Sequence, residues 1–600
     1  MHGIMKQMKT GRTLREIFWI VLFSLFALAE AGLFSHFNSH LFPLSLRSLT
    51  VLPCALLLYF CTRRLFRDFK SYTLAERIIS LVLSVSLSWI IVYNNALYYN
   101  DWLFPESGFF FKSLLIVPGI AIMFLNILHL KLKPLHFTQA ERLLSAKWFP
   151  FAVYGSVFLS FMLCLLSHFP GHFGYDAVFQ YEQFTTGAIT THHPLLHTLL
   201  LCGLIRFGEI LFHSVRAGLL IYTLLQMALL SYALGSAVLF VRKHAGLYCL
   251  AVWALFLLLP FHAILSISAT KDVLFGAFFL LYSLCLYDGI VNREMWHRRA
   301  YCFRYLILMF LVAAFRNNGI YVLLATLPFL LLILKNQFRS VLLYSSIALL
   351  LYFLLTGPLS AALGVTKGPI HEMLPVPIQQ LAVTYSQPWD ADLSQEEKDL
   401  IYRYMPNVDY VTKRSADIVK NDFNDALFLE NPAAFFRLYW NVGKRNLPLY
   451  VNAYANLHMG FFNPEMVWPN PQSFHPYLEW TLEKDDPRLD ETRYLQIPAT
   501  TLFPTLSSRY ENYANKNTFM KYPLLQHFSS IGVYSWAMIL GILVSLLRKK
   551  AECFLPLLMS FFYFGTCILG PVVLFRYAYA YILVVSVFAP LLLLQTPKAR

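Results

Sequence analysis

Asp176, Lys271-Asp272, Arg316 and Arg576 are ionisable residues set in or beside long apolar stretches. A charge taken out of water is costly unless it has a partner or a task. Asp176, in Gly174-Tyr-Asp176-Ala-Val-Phe-Gln180, has no basic residue nearby to pair with. It reads as a general base or a ligand of a divalent cation (Mg or Mn), or else as a loop carboxylate solvated at headgroup depth. Thr270-Lys271-Asp272 offers a cation for a phosphate and a second carboxylate facing Asp176; its structural reading is an ion pair with Thr270 as a helix cap. Arg316-Asn317-Asn318-Gly319 breaks a long apolar run, and irregular backbone there must be buried in protein or line a wet cavity. Phe575-Arg576-Tyr577 is a signal of the same kind, with an arginine snorkelling to lipid phosphate as its alternative. In His192-His193-Pro194-Leu-Leu-His197, His193 and His197 lie one helical turn apart. That spacing suits zinc, contact with a phosphate or sugar, or a role in capping and turns.

A second set of polar groups lies in 360–525, too long and too hydrophobic for a linker. It opens on His371-Glu372-Met-Leu-Pro-Val-Pro-Ile-Gln379-Gln380, whose prolines predict an extended segment. Helices are predicted near 394–405 and 431–446. Tyr450, Asn452, Tyr454, Asn456, Trp468, Tyr477 and Arg493 are the aromatic and amide mixture suited to sugar faces, or the ordinary contents of a small packed domain. Acids outnumber bases in this region, so no nucleic-acid partner is expected.

The elements that must position these residues are membrane helices. The chain of 600 residues is 58% hydrophobic and only 14% charged, with a mean hydropathy of +0.54. A soluble domain carries about 25% charged residues. Apolar runs near 16–36, 44–62, 77–95, 110–130, 149–168, 217–241, 245–266, 272–290, 304–317, 319–335, 340–358, 526–547, 553–573 and 576–595 give about 14 spans. The run 195–213 carries Arg206 and Glu209 and is expected to be a re-entrant or interfacial helix. With the N-terminus cytoplasmic, this count places most of the 48 Lys and Arg on the cytoplasmic side, as the positive-inside rule requires. The net charge of +15 is then a topology signal. Both termini are expected inside, and every polar segment named above falls on the opposite face. The nine cysteines have no metal-ligand spacing and read as packing residues. With no Walker loop, dinucleotide fingerprint or HExxH in the sequence, a nucleotide-driven pump is disfavoured.

The order of these segments resembles the GT-C superfamily of integral-membrane glycosyltransferases, which take sugars from polyprenyl- or dolichyl-phosphate carriers. Gly174-Tyr-Asp176…Gln180, His193-Pro194, Thr270-Lys271-Asp272, Arg316-Asn-Asn-Gly319, Glu372…Gln379-Gln380 and Phe575-Arg576-Tyr577 look like a group of bacterial multi-pass proteins in that superfamily. The resemblance covers about 149–590. It implies an all-α polytopic membrane protein, GT-C-like, with one extracytoplasmic mixed domain. The expected divisions are N-terminal spans in 1–148, a transmembrane core in 149–359, the extracytoplasmic domain in 360–525 and C-terminal spans in 526–600. It also implies sugar transfer from a polyprenyl-phosphate donor to an envelope glycan or glycolipid at the plasma membrane. Asp176 and Asp272 would be the catalytic carboxylates. Gln180, His193, Lys271, Arg316, Asn317, Glu372, Gln379, Gln380, Arg576 and Tyr577 would bind substrate. Many superfamily members pair two acidic residues in the first loop, whereas Asp176 stands between Tyr175 and Ala177. That departure leaves metal dependence open. The readings from other classes are a lipid or oligosaccharide transporter without covalent chemistry, and an envelope scaffold or sensor.

Overall fold

The structure, a computed structural model, describes residues 60–65, 67, 69–100, 108–133, 135, 137–387, 390–464, 478–481 and 486–594. The expected span near 16–36, nearly all of the one near 44–62, and Trp468 and Tyr477 lie outside the described residues. The fold is 78% helical, with no strand among the described residues. Among the described residues seven helices are long and apolar enough to cross a membrane, and four more apolar helices are 10–17 residues long. Apolar side chains make such helices stable in lipid because every backbone N–H and C=O is satisfied within the segment.

The chain divides into two compact units. One comprises 1–132 with 462–467 and 519–530. In it the helices Leu74–Asn100 and Gly108–His129 pack together, and Ser80 Oγ donates to the Ala121 carbonyl at 2.6 Å. The other comprises 133–461, 468–518 and 531–600 and contains every candidate site residue.

In the second unit Lys271–Val291 is the central helix, packed by Val215–Ala245, Arg299–Phe315, Ala551–Cys567 and Phe575–Leu592. The expected span 245–266 is instead two short helices, Cys249–Leu258 and Pro260–Ile267. Pro260 ends the first and starts the second, since it has no N–H for the preceding turn and a preset φ for the next. The piece expected to be interfacial is a helix, Leu195–Phe212, that meets the length and composition of a span. Its two charges pair with each other, Arg206 Nη1 to Glu209 Oε2 at 2.7 Å, so they do not break the apolar run. Gly208 and Gly218 let this helix and Val215–Ala245 touch backbone to backbone: a Cβ at either glycine would overlap the other helix's main chain.

The expected helices in 360–525 are present as Gln395–Tyr404, opened by a Ser394–Glu397 capping box, and Pro432–Arg445. They close a small apolar core around Ile378, Ile401, Val419, Phe435 and Val442. The described part of this region is helical rather than mixed. The proline segment is not extended either. Pro375 and Pro377 sit in the first turn of a helix, Pro375–Tyr385, where a missing N–H costs nothing.

Candidate functional site

Asp176 follows the helix Phe149–Ser167 and a tight loop. That loop is fastened to the start of the central helix: the His172 N–H donates to the Ile267 carbonyl and the Ala269 N–H to the His172 carbonyl, both at 2.9 Å. From inside Val215–Ala245, the Gln226 amide donates to the Ser266 and Ser268 carbonyls at 2.9 and 2.8 Å. It thereby satisfies buried backbone that has left the helix. Two loops far apart in the chain are thus held side by side by hydrogen bonds between their backbones and from Gln226.

Tyr175, immediately before Asp176, has φ +50, an uncommon conformation for a bulky residue. A second chain segment holds it there. Glu479 Oε1 accepts from the Tyr175 N–H at 2.9 Å and from His172 Nε2 at 2.7 Å. The Glu479 N–H donates to the Tyr175 hydroxyl at 2.7 Å. Arg488 binds Glu479 Oε2 at 3.0 Å, Asp486 Oδ1 at 2.9 Å and the Tyr175 carbonyl at 3.3 Å. Gly174 has to be glycine here, because a Cβ would occupy the place of the Glu479 carboxylate and the His172 ring. Burial alone would raise the Glu479 carboxyl, but Arg488 and the His172 hydrogen bond outweigh it and hold the group well below the usual range. Its folded value is depressed, so its contribution to stability is present above the unfolded pKa of about 4.3 and is lost as pH falls below that. Glu479→Gln is therefore expected to destabilise the protein by about 2 kcal/mol at pH 7, and by progressively less below about pH 4. Thermal unfolding in detergent at both pH values checks this; an unchanged Tm at pH 7 would contradict the clamp.

Asp176 precedes the helix Ala177–Thr186 in the N-cap position, yet its side chain caps nothing. The carboxylate turns instead to Lys271 and Arg576. Lys271 Nζ pairs with Asp176 Oδ2, and Arg576 grips Asp176 with two bonds, Nη1 to Oδ2 at 3.0 Å and Nη2 to Oδ1 at 3.3 Å. Arg576 Nη1 also reaches Asp272 Oδ2 at 3.1 Å, and Arg316 pairs with Asp272 Oδ1. Thr270, the N-cap of Lys271–Val291, donates to Asp272 Oδ2 at 3.1 Å. Aromatic faces complete the cluster. The Arg316 guanidinium lies 5.0 Å from the Tyr577 ring centroid and 5.5 Å from that of Tyr563, and Arg576 lies 4.6 Å from Tyr175 and 4.9 Å from Tyr577.

Three cations thus face two carboxylates, a formal excess of one positive charge. The cluster is graded in depth: side-chain exposure is 1% at Asp272 and 6% at Arg576, against 14% at Lys271 and 22% at Asp176. Burial would raise the Asp176 carboxyl, but Arg576 and then Lys271 outweigh it and hold it well below the carboxylate range. Asp176 is ionised at neutral pH. His193 is buried, and that burial, aided by Lys271, holds its imidazole well below the usual value and therefore neutral. Its Nδ1 has no hydrogen-bond partner.

The other expected site residues fall around this centre with different duties. Tyr577 stacks on both guanidiniums. Asn317 donates to the Thr191 and His192 carbonyls at 3.0 and 3.1 Å, tying the polar break to the histidine loop. Gln180 does not reach the cluster through any direct bond. It donates to His197 Nδ1 at 3.1 Å, and His197 meets the Tyr222 hydroxyl at 2.8 Å, which donates to Gln226 at 2.9 Å. The chain runs from Gln180 to the loop beneath Lys271. His197 has both ring nitrogens engaged this way, and among the described residues no group of three or more His, Cys, Asp and Glu is placed to hold a metal ion. The donor set of the charged cluster does not suit a divalent cation either, since its carboxylates are already more than balanced by fixed cations.

Glu372 meets Lys420 at 2.9 Å and lies 3.8 Å from His192. Lys420, which no motif singled out, is buried; burial would lower its ammonium, but Asp417 and Glu372 raise it overall. Gln379 and Gln380 are spent inside the helical core, Gln379 on the Thr412 carbonyl at 2.5 Å and Gln380 on Tyr450 and Tyr439 at 3.0 and 2.7 Å. Of the residues expected to meet sugar, Tyr450, Asn456 and Tyr454 likewise bond within the fold, and exposed Arg493 pairs with Glu182 at 3.0 Å.

Fold and site together define an all-α membrane protein with a buried, cation-rich cluster assembled from four separate chain segments. The chain belongs to a family of unknown function (DUF6020), whose sequence profile matches residues 182–599. The match takes in Lys271, Asp272, Arg316 and Arg576, while Asp176 lies just before it. No curated protein and no solved structure matches the chain.

Proposed function

We propose that this protein is a membrane glycosyltransferase that moves a sugar from a polyprenyl-phosphate carrier to an envelope glycan or glycolipid. The observation that carries the reading is one cluster in which Asp176 meets Lys271 and Arg576 while Asp272 meets Arg576 and Arg316. Breaking the bond between the anomeric carbon and the phosphate oxygen sends an electron pair to the phosphate, and fixed cations stabilise that charge where it develops. The acceptor hydroxyl gives its proton to Asp176, the carboxylate nearest the surface of the cluster. Asp272, wholly buried, keeps Arg316 and Arg576 in place. The Tyr175, Tyr563 and Tyr577 rings lie against the guanidiniums and limit the space for water around them. A lipid-linked donor carries its own activation, which fits a sequence with no nucleotide-binding loop.

The GT-C-like architecture, the count of about 14 spans, the plasma-membrane location with both termini cytoplasmic and the site on the outer face belong to the same reading. It keeps Leu195–Phe212 at the interface, with its Arg206–Glu209 pair in the headgroup layer. The test uses the full chain in proteoliposomes with radiolabelled polyprenyl-phosphate sugars and an envelope extract as acceptor. Release of polyprenyl phosphate with label in the acceptor is expected. Labelled donor that crosses the bilayer intact would replace the enzyme with a transporter.

A further inference from the structure

We propose that Asp176 occupies the place of the donor phosphate: the anion displaces this carboxylate from Lys271 and Arg576, and the displaced carboxylate is then the proton acceptor. The chemical roles rest on the glycosyltransferase reading above, whereas the exchange itself needs only a phosphate.

The geometry favours exchange at Asp176 over Asp272. Asp272 is 1% exposed, is held by Arg316, Arg576 and Thr270, and begins a helix whose N-terminal dipole favours its charge. Asp176 is 22% exposed, caps no helix, and among the described residues is held by Lys271 and Arg576. A carboxylate gripped by an ammonium and two guanidinium nitrogens presents oxygens where a phosphate would present its own. As long as those cations stay on Asp176 they also suppress its basicity. A strong ion pair makes a poor base, so the grip has to be released before Asp176 takes a proton.

The charge balance points the same way. With Asp176 displaced, Lys271, Arg316 and Arg576 less Asp272 leave a fixed charge of plus two. The donor, a phosphodiester, carries one negative charge. The departing prenyl phosphate carries two. The emptied cradle therefore matches the charge of the leaving group rather than that of the substrate, which is the condition for lowering a barrier instead of merely binding. The step balances: the carbon–oxygen bond to phosphate breaks with its electron pair on phosphate, the acceptor oxygen bonds to the anomeric carbon, and its proton passes to Asp176.

The test is equilibrium binding of farnesyl phosphate and of inorganic phosphate to the purified full-length protein, wild type, Asp176→Asn, Asp176→Ser and Lys271→Met. Removing the internal competitor is expected to tighten farnesyl phosphate binding about tenfold in both Asp176 variants, and Lys271→Met to weaken it by a similar factor. Unchanged or weaker binding in the Asp176 variant that folds would overturn the exchange, whatever the transfer assay shows. Tighter binding without transfer from any donor would leave the exchange standing and remove the glycosyltransferase reading. Equal affinities for the two phosphates would assign the cradle to free phosphate and overturn the lipid-linked donor.

Discussion

Arg576→Ala is expected to cost about 3–5 kcal/mol of stability and to abolish sugar transfer. Among the described residues Arg576 is the one side chain that bonds to both carboxylates of the cluster, with three bonds of 3.0–3.3 Å. Removing it leaves Asp272 in a protein interior with only Arg316 and Thr270 for company, and brings two carboxylates into proximity without the group that separates them. Breaking a buried pair on one side costs far more than the pair contributes, because the remaining charge keeps its desolvation penalty. Arg576→Lys restores the charge without the planar fork and should recover part of the stability but little activity. Thermal unfolding of the three proteins in one detergent decides the matter. A Tm for Arg576→Ala within a degree of wild type would mean that the cluster does not hold these helices together.

Asp176→Asn is expected to lower the transfer rate by about 10²–10⁴ while leaving the fold intact. The amide keeps the shape and its one oxygen can still accept hydrogen bonds, but it cannot take the acceptor's proton. Stability should fall by less than in Arg576→Ala, because Arg576 retains Asp272 and Asp176, at 22% exposure, is the most accessible charge of the cluster. Together with tighter phosphate binding, the loss of rate would separate Asp176's chemical role from a structural one. A rate within tenfold of wild type would leave the proton without an acceptor at this position and remove Asp176 from the reaction.

Asp176, Lys271, Asp272, Arg316 and Arg576 were legible because each is an isolated ionisable group against an apolar background, where an unpaired charge is unaffordable. That rule says a partner exists without saying which one. The pairing of Asp176 with a residue four hundred positions away came only from the fold. Glu479, Arg488 and Lys420 gave no signal, since they lie in a region where charges are common and nothing local distinguishes a buried one from a solvated one. Arg206 and Glu209 stood out by the same rule, and the fold pairs them with each other, three residues apart on one face of a helix. Gln379 and Gln380 stood out only through the resemblance; in the fold Gln379 donates to the Thr412 carbonyl, and Gln380 donates to the Tyr450 carbonyl and accepts from the Tyr439 hydroxyl.

Composition and periodicity by themselves determined that this is a helical protein made for lipid, and which few polar residues have to be accounted for. They did so because burial of apolar and charged groups obeys local rules of cost. Which helices meet, which loop carries Asp176 to Lys271, and which proline starts a helix rather than holding an extended segment were decided by tertiary structure. Those outcomes depend on hydrogen bonds and ion pairs between segments tens to hundreds of residues apart, and no local window of sequence contains both partners.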